Sequence, residues 1–204
     1  MITIVDYRTG NLGSIKNMLK KIGNESIITS DPELVSKAEK LILPGVGAFG
    51  NGVSNLKDLG LWNVLEERVL TAKIPVLGIC LGAQLMTRGS EESDLEGFGW
   101  VDGTTVRFDV TSDANFKVPS MGWYDVDLKK DSKLFSDMPE EPRFYFVHSF
   151  HFNFTSTEQV LTNTSAIYTF ASSFEHENIL GVQFHPEKSH KYGMQLLKNF
   201  AMNY

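Results

Sequence analysis

The chain has a single cysteine among its 204 residues, set in Val76-Leu77-Gly78-Ile79-Cys80-Leu81-Gly82-Ala83-Gln84. Pro75 opens an apolar, partly β-branched run that predicts a buried strand, and Gly82 to Met86 has helix-forming character. Cys80 then falls at a strand–turn–helix corner, the geometry of a nucleophile elbow with sulfur in place of oxygen. A tight corner strains the backbone at its apex, and neighbours without side chains let a substrate come close. The positive end of the following helix favours the thiolate. Taken alone, Cys80 also fits a small buried hydrophobe, so the cysteine by itself does not decide.

A thiol nucleophile needs a general base, and the base needs a group that fixes its orientation. Gly181-Val182-Gln183-Phe184-His185-Pro186-Glu187 offers both. The run Ile179 to Phe184 predicts a strand ending at His185. In an extended segment residues i and i+2 point the same way, so Glu187 is expected to hold one imidazole nitrogen while the other faces the thiol. Alone, His-Pro-Glu also reads as a solvated turn.

A third stretch, Lys40 to Gly50, predicts a buried strand breaking into a glycine-rich loop. Gly45 and Gly47 around Val46 free the backbone to aim N–H groups at a developing oxyanion, with the N–H of Leu81 as the second donor. A Gly-x-Gly after a strand can also cradle phosphate. Here, however, no G-x-G-x-x-G and no Lys-Ser/Thr follow. Gln84 lies one helical turn beyond Cys80, where a helix-surface amide and a substrate contact are equally open readings.

The elements that must position these groups alternate in the first half. Strands are predicted at Ile2 to Val5, Ser26 to Thr29, Leu41 to Leu43 and Val76 to Ile79. Helices are predicted from Leu12 to Gly23, from Pro32 behind an Asp31 cap, and from Leu61 to Leu70. Such βαβα order predicts an α/β fold, a doubly wound and mostly parallel sheet with ligands at the carboxyl ends of its strands. Pro44 to Gly47 and Cys80 both fall on that edge. From Gly97 to Phe184 the chain reads as short strands and turns, then a helix from about Ser189 to Met202. Phe144, Phe146, His148, Phe150, Phe152 and Phe154 alternate as one strand buried on one face. His148 and His151 are expected to be satisfied histidines rather than metal ligands, and no metal is assigned. The charge runs Glu91-Glu92-Ser93-Asp94 and Lys129-Lys130 read as solvated loops.

Length and charge set the outer bounds. A chain of 204 residues is expected to form one domain over 1–204. A net charge of −6 without a basic cluster argues against nucleic acid and anionic membranes. The Met1 to Asp6 segment reads as a strand rather than a signal peptide, no run approaches membrane-helix length, and a reactive thiol suits a cytoplasmic setting.

Six separated stretches carry a resemblance: Asp6-Tyr7 with Gly10-Asn11, Pro44 to Gly47, Gly78 to Gln84, Met121-Gly122-Trp123, Tyr145 to Ser149, and Gln183 to Ser189. In this order they resemble the class I glutamine amidotransferases, and among them the HisH family of glutaminase subunits. The resemblance implies a flavodoxin-like fold with extra antiparallel strands in the second half, a Cys80–His185–Glu187 triad, and no cofactor. It implies L-glutamine as substrate, bound by Gln84 and by the backbone around Gly47 and Ser149. It also implies a HisF-type (β/α)8 cyclase as heterodimeric partner. That partner uses the ammonia to make imidazole glycerol phosphate and a purine precursor, AICAR, in histidine biosynthesis. Trp123, Tyr145 and Lys188 match family positions at the subunit contact and ammonia passage; otherwise they read as a core tryptophan, a strand tyrosine and a surface lysine. Ser120, Tyr124, Arg8 and Phe150 depart from the family pattern. Two alternatives remain at this point: a HisH-like ammonia supplier for a sugar amidotransferase of surface polysaccharides, and a non-catalytic thiol module of the same fold.

Overall fold

Apolar runs too short for helices and flanked by turn residues become the parallel centre of the sheet. The computed structural model describes every residue except Ser112 and Ala114. The chain runs β1 (Ile2–Val5), α1 (Leu12–Lys21), β2 (Ser26–Thr29), α2 (Pro32–Ser36), β3 (Leu41–Gly45), α3 (Phe49–Asp58), α4 (Leu61–Glu66), β4 (Val76–Cys80) and α5 (Leu81–Leu85). It continues through β5 (Gly103–Arg107), β6 (Ser120–Asp125), β7 (Asp127–Leu128), β8 (Arg143–His148), β9 (Phe150–Phe154), β10 (Val160–Ser165), β11 (Thr169–His176) and β12 (Ile179–Val182), and finishes with α6 (His190–Asn203).

Strands β2, β1, β3, β4 and β12 lie side by side in parallel, and β11, β10 and β7 extend the sheet antiparallel. Alternation along the strands builds a core on each face. Leu41, Leu43 and Val76 face the layer of α3 and α4, through Val53, Leu56, Leu61 and Leu65. Ile4, Ile42, Leu77 and Ile79 face the layer of α1 and α6, through Ile15, Leu19, Leu196 and Phe200. The α/β, doubly wound reading therefore holds.

Six details differ from the sequence reading. Helix α3 was not expected, because Gly50 and Gly52 weaken its helical signal; a Cβ at Gly52 would stand 3.1 Å from the Leu85 side chain, which must then give way. The Leu61 helix widens at Glu67–Thr71 into a π-helical turn, with the Ala72 N–H donating to the Glu67 carbonyl. Strand β3 continues through Pro44 and Gly45, while β12 stops two residues before Phe184 is passed, at Val182. The aromatic stripe is two strands, not one. It breaks at Ser149, so that β8 pairs with β6 in a separate two-stranded sheet while β9 joins β5 and β11. The charge runs are also anchored: Glu92 accepts from the Phe49 N–H at 2.8 Å, and Lys130 donates to the carbonyls of Glu158 and Glu175.

Candidate active site

Cys80 ends β4 and caps α5 with φ 51° and ψ −111°, a positive-φ conformation that costs a non-glycine residue backbone strain. The flanking glycines make room for it. A Cβ on Gly82 would overlap the Leu43 carbonyl oxygen, and one on Gly78 would lie 2.6 Å from the Cα of Ala83. The corner is therefore as tight as the sequence predicts, although α5 is only five residues long.

Strands β3 and β12 flank β4 and deliver the other groups. Gly45 is the register partner of Cys80, so the Val46-Gly47 segment leaves the sheet beside the thiol. Gly47 has φ +107°, and among the described residues neither its N–H nor that of Val46 meets an acceptor. The N–H of Leu81, first in α5, has no intrahelical acceptor by position. On the other side, His185 is 1% exposed, and its N–H donates to the Tyr145 carbonyl at 2.9 Å. Its Nδ1 meets Glu187 Oε1 at 2.8 Å, with the carboxylate buried. The reach differs from the extended one expected: Glu187 lies in the 3₁₀ turn Pro186–Lys188, which folds it back onto the ring. Ser189 clamps this turn, donating to the His185 carbonyl at 2.6 Å and accepting from the Tyr145 N–H at 3.0 Å.

Burial works against a charged His185, but the Cys80 sulfur and the Glu187 carboxylate outweigh it and push the imidazole pKa up to about 10. His185 Nε2, the nitrogen left over, is buried with no hydrogen-bond partner among the described residues. The ring is thus fixed at one nitrogen and free for proton transfer at the other.

A cavity of about 230 Å³ joins these groups, lined by Val46, Gly47, Cys80, Leu81, Gln84, Ser149 and His185 together with Glu92 and His148. Pockets for drug-sized ligands run to about 300–1,000 Å³, so this one suits a small polar molecule. A larger cavity of about 620 Å³ beside Trp123, Asp125 and Arg143 contains neither Cys80 nor His185 and is a surface groove. Gln84 is almost fully buried; its Nε2 donates to the Phe150 carbonyl at 3.3 Å and to Gln183 Oε1 at 3.1 Å, while its Oε1 accepts from no described residue. It is not a helix-surface amide. Glu92 and His148 were missed as pocket residues, because an acidic run and an aromatic stripe are ordinary patterns. His148 is buried and satisfied only at Nδ1, which donates to the Phe150 carbonyl at 2.8 Å; desolvation lowers its pKa to about 4, so the ring is neutral.

Trp123, Tyr145 and Lys188 gather on one face beside the triad. Trp123 and Tyr145 are register partners on β6 and β8 with ring centroids 6.2 Å apart, and Lys188 Nζ stands 5.5 Å above the Tyr145 ring. Trp123 is 41% exposed and stacks on His190, and Met121 beside it is exposed too. Trp123 is thus not a core tryptophan. Ser120 and Tyr124 bond to each other at 3.1 Å. Arg8 sits exposed with φ 68°, and its N–H donates to Asp6 at 3.0 Å.

An elbow thiol, an oriented imidazole and N–H groups with no acceptor among the described residues, on a flavodoxin-like sheet, fit acyl-transfer chemistry through a thiol. The chain belongs to the class I glutamine amidotransferases, whose family model matches residues 3–204. It is 51% identical over 200 residues, 98% of each chain, to imidazole glycerol phosphate synthase subunit HisH 2 of Methanococcus maripaludis. It is 44% identical over 201 residues, again 98% of each chain, to the HisH 2 subunit of Pseudomonas aeruginosa. The fold is also that of PurLQS from Thermotoga maritima, with TM-score 0.73, 16% identity, and coverage of 100% of this chain and 97% of that one. Among the described residues no helix is long and apolar enough to cross a membrane.

Proposed function

We propose that this chain is the glutaminase subunit of an imidazole glycerol phosphate synthase, producing ammonia for a HisF-type (β/α)8 cyclase in the cytoplasm. The observation that carries the reading is the strained Cys80 elbow beside a buried His185, whose Nδ1 is held by Glu187 and whose Nε2 is unpartnered. The extent and names of the HisH relatives support the choice of partner and pathway.

Cys80 Sγ attacks the side-chain carboxamide carbon of L-glutamine. The N–H of Leu81 and one from the Gly45-Val46-Gly47 segment hold the oxyanion. His185 Nε2 gives its proton to the departing ammonia, leaving a γ-glutamyl thioester, and then takes a proton from water to release glutamate and restore the thiol. Glu187 keeps the ring in the productive orientation. Gln84 Oε1 and the Glu92 carboxylate supply acceptors for the substrate's ammonium group, and the backbone near Gly47 and Ser149 supplies donors for its carboxylate. Ammonia leaves past Trp123, Tyr145 and Lys188 into the docked partner.

The test is Cys80→Ala in the complex. It is expected to abolish glutamine-dependent synthesis and leave the partner's ammonia-dependent reaction intact. Retained glutaminase activity overturns the reading. Failure to bind or serve the cyclase, with glutaminase activity intact, overturns the choice of partner alone.

A further inference from the structure

Gln183 is fully buried just after β12, two residues before His185, and its Nε2 donates to Cys80 Sγ at 3.6 Å. The two ends of a side-chain amide exchange by a half-turn, and only the nitrogen end stabilises a thiolate. The orientation of this amide is fixed by what lies behind it. A backbone carbonyl can only accept, so at the Phe150 oxygen Gln84 must present its Nε2, 3.3 Å away. The same nitrogen gives its second proton to Gln183 Oε1 at 3.1 Å. The Gln183 oxygen is thereby occupied, and its NH₂ group is turned to the sulfur. Reversing Gln183 would set two NH₂ groups against each other and aim an oxygen at the nucleophile. Each link polarises the next in a dry interior, where an oriented donor to an anion counts for more than in water.

We propose that Gln183 is a further catalytic residue, an amide donor to Cys80 Sγ that favours the thiolate independently of His185 and is held in polarity by Gln84 and the Phe150 carbonyl. The proposal rests on the reading of Cys80 as nucleophile. It gives Gln84 a second task besides lining the pocket, that of setting the direction of the donor chain.

The experiment follows alkylation of Cys80, the only thiol in the chain, by iodoacetamide across pH. Gln183→Met keeps the length and removes the donor. The pH of half-maximal reactivity is expected to rise by about one unit, a tenfold change in thiolate population, and kcat to fall with little change in KM. Gln183→Glu, which sets a carboxylate against the sulfur in place of the donor, is expected to raise the same midpoint further than Gln183→Met does. If burial prevents either variant from folding, Gln84→Leu reads the chain from its outer end and is expected to raise the same midpoint by a smaller amount. Profiles that superimpose on a reactive wild-type thiol, in variants with native circular dichroism, overturn the role of Gln183 alone. A wild-type thiol inert at every pH overturns the nucleophile reading and the donor with it.

Discussion

Gly45 and Cys80 are register partners on adjacent parallel strands. The pairing places the start of the Val46-Gly47 segment beside the Cys80 backbone. It also leaves no room at the junction: a Cβ on Gly45 would overlap the Tyr7 hydroxyl and stand 2.9 Å from Cβ of Leu81.

The elbow is a packing requirement before it is a catalytic one. Gly82→Ala drives a methyl group into the Leu43 carbonyl, and overpacking of this kind is expected to remove about 3 kcal/mol of stability. Gly47→Ala meets no atom within 4 Å and suffers only from its φ of +107°, an expected loss of about 1 kcal/mol. Urea denaturation of the two variants checks the order. An unchanged midpoint for Gly82→Ala contradicts the account of the corner.

The alkaline limb of glutaminase activity is expected to report His185. Its imidazolium is favoured by Cys80 and Glu187 against burial, with a pKa near 10. The charged ring is therefore present below that pH and is lost as pH rises through it, and with it the proton for departing ammonia. Glutaminase activity is expected to decline on the alkaline side near pH 10. Glu187→Gln removes one of the two favourable charges, so the decline should move to lower pH. A pH–rate profile of both proteins decides, and identical alkaline limbs would remove Glu187 from the triad.

Activity should depend on the partner. Val46 is 45% exposed at the cavity rim, next to N–H groups that have no acceptor among the described residues, so a docked surface can bias their direction. Each ~1.4 kcal/mol of preference for the competent arrangement gives about tenfold activation while that arrangement is rare. Glutamate production is expected to rise from the isolated chain to the complex, and again with acceptor ligand bound. Trp123→Ala, which removes an exposed aromatic anchor, should weaken docking by about tenfold or more and blunt this activation. Equal turnover in all three states would leave a constitutive glutaminase.

The candidate site was legible because the local spacing of its residues carries the information. Glycines two residues either side of Cys80 specify a corner, and His185 with Glu187 two residues on specifies a held imidazole. Parallel strands of continuous apolar residues were legible for the same reason. What escaped depends on neighbours distant in the chain. Glu92 reads as one acid in a solvated run, and only the fold brings it to the Phe49 N–H and the cavity. Gln183 reads as one polar residue in a strand, until Gln84 and Cys80 meet it across 99 and 103 positions. The break at Ser149 escaped because alternating phenylalanines continue across it, although the two halves belong to different sheets.

Strand β12 pairs directly with β4, although 105 residues separate Cys80 from His185 (185 − 80) and the whole antiparallel part of the molecule intervenes. Closing so long a loop is entropically unfavourable until the strands on either side can reward it, which places this pairing late in assembly. A half-folded chain therefore carries a thiol but no base within reach of it. Recovery of glutamine hydrolysis during refolding should trail the return of helical signal, which makes turnover a reporter of the finished sheet.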